Sequence, residues 1–270
     1  MAVSDTDFNF YKDLLYQTSG LSLTPEKNYL IESRLTPIAS SLGHDGLASF
    51  TSYLRTSKDT QATQAVIEAM TTNETSFFRD KKPFERLKEI LPELEQSKQG
   101  DKTIRIWSAA CSSGQEAYSI SITMGEYLKT KPGLKYEILG TDISKDILKK
   151  AERGEYNQFE IQRGLTIQQM VEYFEQDGQN WRIKQHIRNN VKFQEGNLLR
   201  PLSYPGKFDI VMCRNVLIYF DSTTKAQALN NIASKINKGG YLFLGGCENI
   251  MGLDVPYEPV RERPGLYKVK

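Results

Sequence analysis

Apolar residues recur at helical spacing throughout residues 1–70. From Asp7 to Gly20, Phe8, Tyr11, Leu14 and Leu15 share one face, and Gly20 offers a stop. Tyr29, Ile31, Leu35 and Ile38 repeat the pattern between Pro25 and Leu42. Leu47, Phe50, Tyr53 and Leu54 predict a third helix, and residues 62–70 a fourth. Together they predict a small helical domain. Phe84 to Leu94 is again amphipathic and leads through S-K-Q-G-D-K to a different pattern. Ile104-Arg105-Ile106-Trp107 is short, alternating and β-prone. Small residues follow to Gly114, then a helical run over Gln115–Leu128 and a second strand at Tyr136–Leu139 that ends in Asp142. Ile143–Arg153 predicts a helix ended by Gly154. Phe208–Cys213 is a nearly continuous apolar strand, as in a parallel sheet covered on both faces. A helix over Thr223–Ile236, a strand over Gly239–Gly246 and a terminal hairpin over Tyr257–Val269 complete the chain.

One stretch departs from this alternation. Residues 155–193 hold Y-N-Q-F, a short T-I-Q-Q-M-V-E-Y-F helix, and E-Y-F-E-Q and N-W-R-I-K around Asp177-Gly178. They predict a hairpin or small sheet inserted into the main fold. The expected boundaries are a helical domain over 1–75, a linker and connecting helix over 76–101, and an α/β domain over 102–270 that carries the insert. No Gly/Ser- or Pro-rich linker separates the two domains, so close packing is expected.

Strand, small-residue turn, helix, strand and acid form the first half of a doubly wound nucleotide site. Asp142 at the second strand's tip suits a ribose, whose two hydroxyls it can accept. A dinucleotide turn wants G-x-G-x-x-G, because a pyrophosphate sits against bare backbone at a helix N-terminus. This turn has one glycine, Gly114, and an anionic Glu116 at the helix start. A carboxylate there repels phosphate and suits an amine. The turn therefore favours S-adenosylmethionine (SAM) over NAD.

Composition excludes more than it selects. A net charge of +2 argues against a dedicated nucleic-acid binder. Residues 1–74 carry five Lys/Arg against nine Asp/Glu, whereas residues 182–200 carry five against one Glu. Cys111, Cys213 and Cys247 lack C-x-x-C spacing and read as reduced thiols, with no zinc site. His44 and His186 are far apart and suggest neither a metal site nor a triad. The start M-A-V-S-D-T-D-F has no secretory pattern, and no apolar run is long enough to span a membrane. A soluble, cytoplasmic protein is expected. Residues 70–80, M-T-T-N-E-T-S-F-F-R-D, read by themselves as a linker, with Asp80, Pro83 and Glu85 suited to starting the next helix.

Five segments taken in order, N-E-T-S-F-F-R-D, A-A-C-S-S-G-Q-E-A-Y-S, G-T-D-I-S, N-L-L and C-R-N-V-L-I-Y-F, resemble the CheR-type chemotaxis receptor methyltransferases. The resemblance covers nearly the whole chain. It implies a class I SAM-dependent methyltransferase fold: a Rossmann-like, doubly wound sheet with a terminal antiparallel hairpin, an N-terminal helical domain and an inserted β-subdomain. It implies SAM-dependent methylation of glutamate side chains on the cytoplasmic helical domain of chemoreceptors, by a monomer. It also withdraws the linker reading of residues 73–79: Asn73, Thr75 and Arg79 are implied to reach the SAM site, with Glu116, Asp142, Asn197, Leu198, Arg214 and Asn215 completing it. Tyr219 matches the family's active-site tyrosine, and Arg79 and Tyr219 are the candidate catalytic pair.

Three departures from the family pattern matter. The family turn is usually G-C-S-T-G-E-E-P, against Ala110, Ser113, Gln115 and Ala117 here. The family's N-terminal domain often presents a basic face, whereas this one is net acidic. Members that grip a receptor tail peptide carry a longer, glycine-containing loop in the β-subdomain, and D-G-Q-N-W looks like the short version. Docking without a tail tether is therefore expected, with Arg182, Lys184, Arg188 and Lys192 as candidate contacts for acidic receptor surface. A methyltransferase for another substrate and a non-catalytic SAM-sensing adaptor are the alternatives.

Overall fold

The structure is a computed structural model that describes residues 3–98 and 100–270. It divides into two compact units. Among the described residues, one comprises 3–72 with 219–224, the other 73–218 with 225–270.

The first unit is helical: α1 (Asp5–Ser19), α2 (Asn28–Ser41), α3 (Leu47–Thr56) and α4 (Thr60–Met70), with a 3-10 turn at Pro25–Lys27. Tyr11, Leu15, Ile31, Leu35, Phe50 and Val66 are fully buried in it, drawn from the apolar stripes. The helix ends have local causes. Ser4 accepts the Asp7 amide at the start of α1, and Gly20 ends it at φ 76°. Asp59 accepts the Gln61 and Ala62 amides, so α4 begins before the apolar run that predicted it.

The second unit opens with α5 (Lys82–Ser97), longer at both ends than its apolar stripe. Asp80 does not cap it; Lys81 occupies the N-cap position with no side-chain hydrogen bond. There follow β1 (Thr103–Ala109), α6 (Gln115–Leu128), β2 (Lys135–Asp142), α7 (Lys145–Arg153), β3 (Glu155–Asn157), α8 (Gln158–Gln162), α9 (Ile167–Tyr173), β4 (Phe174–Asp177), β5 (Asn180–Ile183), α10 (Gln185–Arg188), β6 (Val191–Glu195) and β7 (Phe208–Cys213). A 3-10 turn at Leu217–Tyr219 leads to α11 (Ser222–Ala233), residues 219–224 of this stretch grouping with the first unit, and then to β8 (Ile236–Leu244), β9 (Tyr257–Pro259) and β10 (Leu266–Val269).

Seven strands form one sheet in the order β6-β2-β1-β7-β8-β10-β9. The first five run parallel, and β10 and β9 are antiparallel at one edge. The chain moves outward from β1 to β2 and β6, then returns to β7 on the other side of β1. That reversal opens a crevice at the carboxyl ends of β1 and β7, where sheets of this kind bind ligands. Beneath it Leu87, Ile90, Ile104, Ile106, Ile120, Ile210 and Phe243 form a continuous core. β8 starts earlier than its apolar run, at Ile236 opposite Phe208, because a register shift between Phe208 and Ile210 admits the extra residues.

The insert is a three-stranded antiparallel sheet, β3-β5-β4. Its hairpin closes with Asp177 opposite Asn180, leaving only Gly178 and Gln179 in the turn. Phe77, Tyr156 and Phe174 meet edge-to-face beneath it at centroid separations of 5.0 and 5.2 Å.

Candidate functional site

The sequence-predicted ligand residues of the second unit stand at the carboxyl ends of four neighbouring parallel strands. Glu116 opens α6 after β1, Asp142 ends β2, Asn197 and Leu198 follow β6, and Arg214 and Asn215 follow β7. Residues far apart in the chain meet there because parallel strands present all their C-termini on one edge.

Asp142 is buried, and backbone amides hold its carboxylate: Ser112 N–H donates to Oδ2 (2.8 Å) and Ser144 N–H to Oδ1 (3.1 Å). Glu116 is also buried. Its Oε1 accepts the Ser108 hydroxyl (2.7 Å) and its Oε2 the Arg214 guanidinium (2.9 Å). Burial pushes the Glu116 carboxyl up, against the downward pull of Arg214 and Ser108. The cation against Glu116 thus comes from the chain itself.

Arg214 links two segments. Beyond Glu116, its Nη2 donates to the Arg79 carbonyl (2.9 Å) and the Asp80 carboxylate (2.7 Å). Its side chain is only 2% exposed, and its buried Nε lacks a partner. A donor so placed wants an acceptor from water or ligand.

Residues 73–80 are built into the site. The Asn73 carbonyl accepts the Ser112 hydroxyl (2.8 Å), and the Phe78 amide donates to the Ser119 hydroxyl (2.9 Å). Arg79 Nη1 donates to the Glu74 carbonyl (2.8 Å), Glu74 pairs with Arg163, and Thr75 is half-buried. Gly164 lets the insert approach so closely that a Cβ there would lie 1.9 Å from the Phe77 carbonyl oxygen. Asp80, which the sequence suggested as a helix cap, instead pairs with Arg214.

Backbone strain collects in the same places. Phe78, Asp80, Lys81, Ala110, Ser112 and Asn215 have φ between 47° and 67° without being glycine. Such conformations persist where surrounding contacts over-determine them. Nothing in the sequence pattern announces them, apart from Ala110 standing where similar turns have glycine.

Asn197 Oδ1 accepts the Leu199 amide, and the Leu198 carbonyl accepts Asn231. Tyr219 groups with the helical unit, where its carbonyl accepts the Ser22 amide (3.0 Å). Chain connectivity ties it to Asn215, four residues upstream. Sequence reasoning missed Glu248, whose buried carboxylate accepts the amides of Asn215, Val216, Leu217 and Gly245 at 2.7–2.9 Å.

The basic flank of the insert is largely engaged at home. Arg182 pairs with Glu155, Lys184 donates to the carbonyls of Val171 and Glu172, and Arg188 donates to that of Glu152. These contacts brace the subdomain while leaving Arg182 exposed, and Lys192 on the neighbouring β6 is exposed as well.

The donor set fits SAM. The buried Asp142 carboxylate suits a ribose, and the unpartnered Arg214 Nε–H wants an acceptor such as a carboxylate. The turn has no phosphate cradle, while Glu116 is already paired with Arg214. Comparison with known proteins agrees. A family model described as "CheR methyltransferase, SAM binding domain" matches residues 73–264, and one described as "CheR methyltransferase, all-alpha domain" matches residues 6–71. The chain is 41% identical over 276 residues to Chemotaxis protein methyltransferase 1 of Pseudomonas aeruginosa, covering all of both chains. It is 39% identical to Chemotaxis protein methyltransferase Cher2 of Pseudomonas putida, again over all of both. To the Chemotaxis protein methyltransferase of Vibrio parahaemolyticus it is 40% identical, covering 100% of this chain and 99% of that one.

Proposed function

This chain belongs to the CheR methyltransferase family, and from that premise we propose how its residues divide the work of methyl transfer. It is a SAM-dependent enzyme that methylates chemoreceptors in chemotactic adaptation, with the class I methyltransferase fold. Asp142 takes the ribose hydroxyls, and Asn73, Thr75, Glu116, Asn197, Leu198, Arg214 and Asn215 complete the SAM site. The observation that carries this assignment is the convergence of Glu116, Asp142, Asn197, Leu198, Arg214 and Asn215 on one sheet edge, with the buried Asp142 carboxylate accepting the Ser112 and Ser144 amides.

The acceptor is a glutamate side chain on the receptor's cytoplasmic helical bundle. With a reference pKa of ~4.3, it is already an anionic nucleophile at neutral pH, so no general base is required. SAM supplies an electrophilic methyl: the C–S bond breaks as an O–C bond forms, and the thioether leaves with the electron pair. What the chain must supply is alignment and exclusion of water. Arg79 orients a carboxylate through charge-assisted hydrogen bonds, and the Tyr219 phenol positions the acceptor's other oxygen.

The enzyme works as a monomer in the cytoplasm and finds its receptor without gripping a tail peptide. The two-residue turn of the β4–β5 hairpin supports this reading, because it leaves no loop to clasp an extended strand. Among the described residues no helix is long and apolar enough to cross a membrane.

Label transferred from SAM to receptor is expected to be released as methanol by mild alkali. Alkali-stable label would indicate N-methylation and reject the mechanism. Arg79→Ala and Tyr219→Phe should both slow turnover, the former more. Methylation should be indifferent to deleting the receptor's last residues, and micromolar binding of a tail pentapeptide would overturn the tether-free reading.

A further inference from the structure

We propose that Glu248 is a positioning residue for methyl transfer: its carboxylate fixes the Asn215–Tyr219 segment in the shape that turnover requires. Glu248 lies just beyond β8 and is 7% exposed. Its Oε2 accepts the amides of Asn215 (2.9 Å) and Gly245 (2.7 Å), and its Oε1 those of Val216 (2.9 Å) and Leu217 (2.7 Å).

Three of these amides are consecutive. Consecutive N–H groups converge on one anion only when the backbone curls around it, and Asn215 does so at φ 60°. Asparagine enters this left-handed region more readily than most non-glycine residues, and the carboxylate holds it there by accepting its amide. Leu217, the last of the three, opens the 3-10 turn that ends at Tyr219, so the grip extends to the start of the element bearing the candidate catalytic phenol. The approach is close: a Cβ on Gly245 would lie 2.7 Å from Glu248 Oε2 and 3.0 Å from the Asn215 nitrogen.

Only a carboxylate satisfies this set. Each oxygen receives two N–H donors, and glutamine has one acceptor oxygen. Its amide nitrogen would face two donors and push the segment away. Alanine leaves all four amides without the acceptor.

The inference rests on the reading that Asn215 and Tyr219 serve the methyl-transfer site, so the test must separate the two. Glu248→Gln and Glu248→Asp are compared with wild type for receptor methylation at saturating SAM, binding of S-adenosylhomocysteine by calorimetry, and thermal unfolding. A small displacement of reacting groups can cost about 10- to 100-fold, so kcat of Glu248→Gln should fall by about that much. The Kd for S-adenosylhomocysteine, whose site loses order at Asn215 but keeps Asp142, should rise by a clearly smaller factor. Glu248→Asp keeps the charge and should recover part of kcat. Wild-type kcat in Glu248→Gln overturns the proposal. Parallel loss of kcat, product binding and thermal stability in both variants also overturns it, because the role is then structural alone. Tyr219→Phe, run alongside, distinguishes the failures. If it turns over like wild type, the site reading falls and this inference with it; if it is slow while Glu248→Gln is not, this inference falls alone.

Discussion

Replacing Ala110 by glycine should leave stability nearly unchanged or modestly raised, where Ala→Gly changes in ordinary backbone are costly. Ala110 sits at φ 60°, in the turn between β1 and α6. An L-residue in that region is disfavoured by about 1–2 kcal/mol, and glycine is not. Against that relief, glycine's freer unfolded chain costs about 0.4–1 kcal/mol. Ala110 is half-buried, so the lost methyl forfeits about 0.4 kcal/mol at ~0.8 kcal/mol per fully buried group. The sum runs from a loss of about 0.4 to a gain of about 1 kcal/mol. Ala117, fully buried in α6, is the control. There glycine costs about 1 kcal/mol in helix propensity and ~0.8 kcal/mol in burial. The two variants should differ by about 2 kcal/mol, or roughly 4–8 °C in melting temperature for a unit of this size. Thermal melts followed by circular dichroism read this directly. If Ala110→Gly loses as much as Ala117→Gly, the strain assigned to the turn is not there.

Asp142→Ala should weaken SAM binding in calorimetry by ~1–3 kcal/mol, the cost of removing a charged acceptor, and unchanged affinity would reject the ribose assignment. Gly164→Ala should destabilise the second unit by about 2–5 kcal/mol, since overpacking and positive-φ strain add where a Cβ would lie 1.9 Å from the Phe77 carbonyl oxygen. Wild-type unfolding in that variant would mean that the insert and residues 73–80 are not in such contact. In the native protein Cys247, which is exposed, should react with an aromatic disulfide reagent; Cys111 and Cys213, buried and with thiols pushed up by burial, should react only after denaturation. Rapid reaction of all three would contradict the burial.

The sequence by itself determined the elements and their order. The 3.6-residue stripes of the first 70 residues, the alternating Ile104–Trp107 run and the continuous apolar Phe208–Cys213 run are one-dimensional records of which faces are buried. Together with Asp142 at a strand tip and a turn with one glycine and a glutamate, they were enough to choose SAM over a dinucleotide. Tertiary structure alone decided which partners those side chains take. Glu116 has the profile of an amine ligand in sequence, yet the cation beside it is Arg214, 98 residues on. Asp80 looks like a helix cap and is instead a partner of Arg214, because the chain turns through positive φ at Asp80 and Lys81. Arg182 and Lys184 read as a basic face, and only the fold shows that they also pair with Glu155 and with the carbonyls at the end of α9. Glu248 has no sequence signal, since its function is to satisfy backbone amides more than thirty positions away. Periodicity records burial, a property of each residue against a face; hydrogen-bond partnership is a property of pairs brought together by the sheet, and no local pattern encodes it.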